Sequence, residues 1–424
     1  MTTIVHGGLA AVRHVLPNGG IVISKEAHTV PAVTFQVSVR AGSIYDSNEL
    51  LGLSHLTSRV LDRGTLQRSN DEIAEALDAR GVSLSINANR HVLTVGCTCL
   101  SDDFEALLEL VGDIVTQPSF PEDEIEKRKG EVLNAIRQDE DSPAAMAVLA
   151  LFEMLYPNGH PYGRPAKGRV DTVSRITRAD LLAFHRARFA PSTLMVVIVG
   201  DVDSGRAADA ARRVFGKWQG PAPAEITLAH PPSARSREER VIPMMNKAQA
   251  DIAYGFTTIT RSDPSYYAYS LLNNALGQYG IGGRLGDSIR ERQGMAYYVF
   301  SSFDANVVEG PLLVRAGVNP VNVDRAIASI DEEIVRIAAD GLDVAELADC
   351  KQYLIGSIPR LLETNAAIAI FLQTAEFFGL GLDHDVRLPA LLDAVTLEDV
   401  KLAAQRTLDI RRACVVVAGP YKRG

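Results

Sequence analysis

Positive charge is in deficit: 43 Lys and Arg stand against 52 Asp and Glu, a net charge of −9. Nothing in that balance favours phosphate backbones or anionic lipid surfaces, so nucleic acid is not an expected partner. Long hydrophobic runs are lacking too. Runs such as Leu194 to Val199 and Ala366 to Leu372 reach about seven residues, and none approaches the ~20 that span a bilayer, so no membrane helix is expected. Met1 to His14 has neither a basic n-region nor a sustained apolar core, does not read as a secretion signal, and leaves the cytoplasm as the expected location. Four cysteines, Cys97, Cys99, Cys350 and Cys414, are too few and too scattered for a disulfide framework. Cys97 and Cys99 lie two apart in a strand-like run, which puts both on one sheet face as ordinary core residues.

What is present is a chain of 424 residues, 46% hydrophobic and 22% charged, a composition of folded domains. At roughly 150 residues per domain it holds two or three. An internal repeat decides how they are organised. Ile176-Thr177-Arg178-Ala179-Asp180-Leu181 recurs as Val395-Thr396-Leu397-Glu398-Asp399-Val400, an offset of 219 (399 minus 180). At the same offset Leu194 to Gly200 maps onto Ala413 to Gly419, a β-rich run closed by Gly in both copies. Earlier segments match with small length changes: Glu124-Ile125 with Glu346-Leu347, Val37 to Val39 with Tyr254 to Phe256, and Asp71 to Arg80 with Gly286 to Gln293. Between the copies, 219–240 carries five Gly or Pro residues, Gly220, Pro221, Pro223, Pro231 and Pro232, as a linker does. The chain therefore divides into an N-terminal domain (1–218), a linker (219–240) and a homologous C-terminal domain (241–424).

Helical patterns run over Asp71 to Arg80, Phe104 to Thr116 and Pro121 to Gln138. The strands Val82 to Asn87 and Val92 to Leu100 are separated by a short polar turn, which demands antiparallel pairing. The expected class is α+β: two homologous domains, each a mainly antiparallel sheet with helices packed on one face.

Gly52-Leu53-Ser54-His55-Leu56-Thr57-Ser58-Arg59-Val60-Leu61 reads as a helix. Together with Glu72 to Gly81, the helix Glu124 to Arg137 and His160-Pro161-Tyr162-Gly163, it resembles in order and spacing the metal-binding domain of the pitrilysin (inverzincin) metallopeptidases, in their processing-peptidase-like form. That family's His-x-x-Glu-His motif places two zinc-binding histidines one helical turn apart with a general base between them. Here only His55 stands at a ligand position. Ser58 replaces the base, Arg59 replaces the second ligand, and Ala135 occupies the position of the third, a Glu; Glu131 lies one turn before it. The resemblance therefore implies a degenerate motif that holds no metal.

A second block, Gly282 to Val299, resembles the family's other active-site element, in which an Arg and a Tyr seven residues apart hydrogen-bond the scissile carbonyl. Arg290 and Tyr297 have that spacing, and both are donors suited to a developing oxyanion. The turn Gly280-Ile281-Gly282-Gly283 lacks the βαβ context and later acidic residue of a dinucleotide loop. The resemblance implies a non-zinc subunit, inactive alone, that lends Arg290 and Tyr297 to a homologous partner bearing Zn²⁺. The pair would form a heterodimeric chamber in which extended peptides add to a sheet edge. Two alternatives stay open: a catalytically inert structural homologue, and a homodimeric peptide-binding protein.

Overall fold

Apolar and polar residues alternate along Ala32–Val39 and Leu93–Leu100, whereas Met195–Gly200 is apolar throughout, and these three runs form the middle of the first sheet. The computed structural model describes residues 3–4, 8–232, 234, 236–278, 280 and 282–422; Ile281 of the glycine turn, Ser233 and Arg235 of the linker, and part of Met1 to His14 lie outside them. The first compact unit comprises Met1–Ile136, Pro165–Thr227 and Pro359–Val386. Its strands are β1 (Thr3–Ile4), β2 (Val12–Val15), β3 (Ile21–Glu26), β4 (Ala32–Val39), β5 (Ser85–Ala88), β6 (Leu93–Leu100) and β7 (Met195–Gly200), in the order β1-β2-β3-β7-β4-β6-β5. All neighbours are antiparallel except β3 and β7. The register Phe35↔Cys97 and Val37↔Val95 turns these side chains to one face, where Leu56, Val60, Phe104, Leu108, Val111, Leu181 and Phe184 from the helical layer close the core. Cys97 and Cys99 lie in that core as free thiols.

The second unit comprises Arg137–Arg164, Leu228–Ile358 and Arg387–Gly424. Its strands β8 (Glu238–Pro243), β9 (Ala250–Thr257), β10 (Ala296–Phe303), β11 (Pro311–Val318) and β12 (Cys414–Gly419) follow the order β10-β11-β9-β12-β8, parallel at β12–β8. Read from β3 and from β8, the two orders superimpose: β3-β7-β4-β6-β5 against β8-β12-β9-β11-β10. The repeat thus has a physical basis. Thr177 and Thr396 each open a helix with a capping box, the backbone N–H of each donating to Asp180 and to Asp399 over 2.8 Å, and each helix leads into the equivalent inner strand.

The sequence halves and the compact units do not coincide. The helix Pro143–Leu155, from the first half, packs on β9 and β12 of the second unit. Gly255 on β9 leaves it room, since a Cβ there would lie 3.1 Å from the Leu151 side chain and 3.3 Å from that of Leu155. The helix Asn365–Phe377, from the second half, joins the first unit, where Ile368, Ala369 and Leu372 meet Ile23, Val197 and Val199. Arg13 fixes it by donating to Glu376 over 2.9 to 3.1 Å. Each sheet therefore has its main helical layer on one face and one such helix over part of the other. Among the described residues no single helix is long and apolar enough to cross a membrane.

Leu151 is fully buried and Val321 is 83% exposed. Leu151→Ala is expected to lower unfolding stability by roughly 2–5 kcal/mol, whereas Val321→Ala should stay within about 0.5 kcal/mol. Urea midpoints measure both.

Candidate functional site

The helix Leu53–Val60 is anchored before it presents any functional group. Gly52 takes φ +94° at its start, and a Cβ there would sit 2.5 Å from the Lys167 carbonyl oxygen. The buried Asp46 carboxylate accepts the Gly52 N–H at 3.0 Å and the Ser54 N–H at 2.9 Å, which satisfies orphan donors and opposes the positive end of the helix dipole. Ser54 Oγ donates to Ala41 O over 2.7 Å. Leu56 and Val60 then face the core.

One turn apart on the outer face stand His55, half-buried, and Arg59, exposed. Ser58 is buried and donates to the His55 carbonyl at 2.7 Å, so it occupies the base position without addressing that face. Arg59 Nη2 meets Glu131 Oε2 at 3.4 Å, and Arg128 Nη1 meets Glu131 Oε1 at 2.6 Å. The Arg128 guanidinium, and after it that of Arg59, hold the Glu131 carboxyl below the usual range. Nearby, burial raises the Asp62 carboxyl despite Arg63, Arg128 and Arg59. Ala135, one turn beyond Glu131, offers a methyl group and no donor atom. A zinc ion does not fit here: of the residues that would hold it, one is an imidazole, one a guanidinium paired with the Glu131 carboxylate, and one a methyl. Glu131, one turn before the third ligand position, is the acceptor for Arg59. A cation at the i+4 ligand position is the signal that points to such a partner.

In the second unit, Gly283 at φ +57° makes the turn after residue 280, where a Cβ would meet the Ala275 carbonyl oxygen at 2.4 Å. Helical turns wider than α follow over Gly286–Arg292, an irregularity enriched at functional sites. Ile289 faces the core, and Arg290 faces solvent with Nε 3.7 Å from Glu291 Oε1. Gly294, at φ +61°, reverses the chain and donates to the Arg290 carbonyl at 3.1 Å. The strand β10 then opens with a bulge: Ala296 pairs with Val318 but Tyr298 with Gly317, leaving Tyr297 as the extra residue, 68% exposed. Tyr298 is the structural member of the pair. Its ring fits against Gly317, its hydroxyl donates to Asp251, and burial pushes its phenol up. Arg290 at the end of the helical turns and Tyr297 at the start of the edge strand β10 are thus both exposed, on consecutive elements joined at Gly294.

Asp46→Ala should cost about 2–3 kcal/mol, because the two backbone donors lose a charged acceptor. Glu131→Gln, which removes an exposed pair with Arg59 and a pair with the half-buried Arg128, should cost less, about 1 kcal/mol. Urea unfolding of the two variants tests whether the helix is held from its N-terminus rather than by the pair.

Residues 21–165 match the family described as Insulinase (Peptidase family M16), and residues 175–354 match the Peptidase M16 inactive domain. An "uncharacterized zinc protease" of Mycobacterium leprae is 30% identical over 420 residues, 96% of this chain and 92% of that protein. A "non-peptidase homolog" of Helicobacter pylori is 23% identical, covering 89% of this chain and 87% of that one. Among solved structures, a peptidase M16 inactive domain from Pseudomonas fluorescens superimposes with a TM-score of 0.90 at 27% identity, over 98% of this chain and 100% of that one. A protease from Helicobacter pylori has the same fold, with a TM-score of 0.89 at 19% identity over 96% and 98%. The duplicated α+β fold, the order of the motifs and the near full-length match agree: the chain belongs to peptidase family M16, the insulinase family.

Proposed function

We propose that this chain is the non-zinc subunit of an M16 endopeptidase, lending Arg290 and Tyr297 to a zinc-bearing homologue with which it forms a heterodimer. The observation that carries this reading is the asymmetry between the two elements. The Arg59–Glu131 ion pair stands on the helix face where a metal would need ligands, while Arg290 and Tyr297 remain exposed and uncommitted to the core. Water activation belongs to the partner. The guanidinium and phenol of this chain donate hydrogen bonds to the carbonyl oxygen of the scissile peptide as it gains negative charge, and neither group has to change protonation to do so. The sheets end in β5 and β10, whose outer backbone groups suit an extended peptide added as a further strand. An inert homologue is the competing reading, favoured by the relative named a non-peptidase homolog.

The test is peptide hydrolysis by the chain alone and mixed with a zinc-motif homologue of similar size. Activity should appear only in the mixture, and Arg290→Ala or Tyr297→Phe in this chain should lower it ~10² to 10³ fold. A mixture whose rate ignores both substitutions supports the inert homologue. Hydrolysis by the chain alone that His55→Ala abolishes contradicts the proposal outright.

A further inference from the structure

The parallel pair β3–β7 ends with Glu26 beside Gly200, and the chain beyond each strand brings four polar side chains to the same point on the first unit. They are Glu26 at the end of β3, His28 two residues on, Asp201 directly after β7, and Asp203 at the N-cap of the helix Ser204–Phe215. Ligand atoms of Glu26, His28 and Asp203 all lie within 4.8 Å of one another. His55 belongs to no such group among the described residues.

The atoms are divided in a consistent way. His28 Nδ1 lies 2.7 Å from Asp201 Oδ1, and because an ionised carboxylate only accepts, the ring donates from Nδ1 and turns Nε2 the other way. Asp201 is itself fixed, its Oδ2 accepting from Ser101 Oγ at 3.0 Å. A carboxylate holding the far nitrogen of an imidazole is the usual outer support of a metal-bound histidine. Glu26 uses Oε1 to accept the Ser204 N–H at 2.7 Å, so Glu26 caps the helix, and its Oε2 faces His28 Nε2 at 3.7 Å. Asp203 occupies the N-cap position yet makes no capping bond, although an Asp there ordinarily does. Its carboxylate is left toward Glu26 and His28. Of the neighbouring cations, Lys25 Nζ bonds the Glu26 carbonyl and Arg206 Nε pairs with Glu105 at 2.8 Å.

We propose that Glu26, His28 and Asp203 form a binding site for a first-row divalent cation, with Asp201 as the positioning residue behind His28. One imidazole and two carboxylates suit Zn²⁺ or Mn²⁺, with water completing the shell. The site is separate from the degenerate motif at His55 and independent of the proposed peptidase role. It also bears on how any zinc content of the purified chain is assigned.

The experiment is Zn²⁺ titration of the metal-stripped full-length chain by calorimetry, with thermal melts alongside. One equivalent should bind and raise the melting temperature. His28→Ala should abolish that binding, Asp203→Asn should weaken it, and Asp201→Asn should weaken it 10- to 100-fold. His55→Ala should leave it intact. All four positions around the site are at the surface, and melts without metal check that the variants fold. Absence of binding, or binding that survives His28→Ala, overturns the site. Binding lost in His55→Ala instead would overturn the reading of the degenerate motif.

Discussion

A guanidinium at position 59, facing the Glu131 carboxylate at 3.4 Å, governs what the first unit can do. It is permanently charged. A dication placed about 4 Å from it would be opposed by roughly 8 kcal/mol at an effective dielectric of ~20, while Ala135 supplies no ligand to offset that cost. The pair itself adds little stability, being exposed on both sides. Its weight lies in what it excludes, and in engaging Glu131, the carboxylate one turn before Ala135.

The second unit shows the opposite economy with the same topology. β10 occupies the place that β5 has in the first sheet, and β12 that of β7. Tyr298 and Asp251 tie β10 into the sheet, and the bulge then turns Tyr297 outward. One structural tyrosine beside one exposed tyrosine is hard to explain by packing alone, since Tyr297 buries little surface. Two copies of one fold have thus diverged in what they offer: an ion pair between two helices in one, exposed hydrogen-bond donors on a helix end and the strand after it in the other.

Much of this was legible in the residues. The offset of 219 exposed the duplication because the two capping boxes need Thr and Asp three apart, and because both inner strands end in Gly. The lost ligands were legible because metal chemistry admits few residue types at fixed spacing. Other features depend on distant packing. The apolar run in Pro143–Leu155 says that this helix is buried, not on which sheet. The bulge at Tyr297 exists only in the register with Gly317 and Val318. Glu131 becomes the partner of Arg59 only when two helices approach, and Glu26 and Asp203 are 177 positions apart (203 minus 26). The sheet ends, not the sequence, make them neighbours.

The most direct measurement restores the missing groups. In a His28→Ala background, Arg59→His with Ala135→Glu rebuilds two ligands beside His55, and zinc uptake is read by calorimetry. If Arg59 and Ala135 are what keep the metal away, the restored chain gains one equivalent that His55→Ala removes, and the His28→Ala parent binds none. A parent that already holds zinc through His55, or a restored chain that gains none, contradicts this explanation.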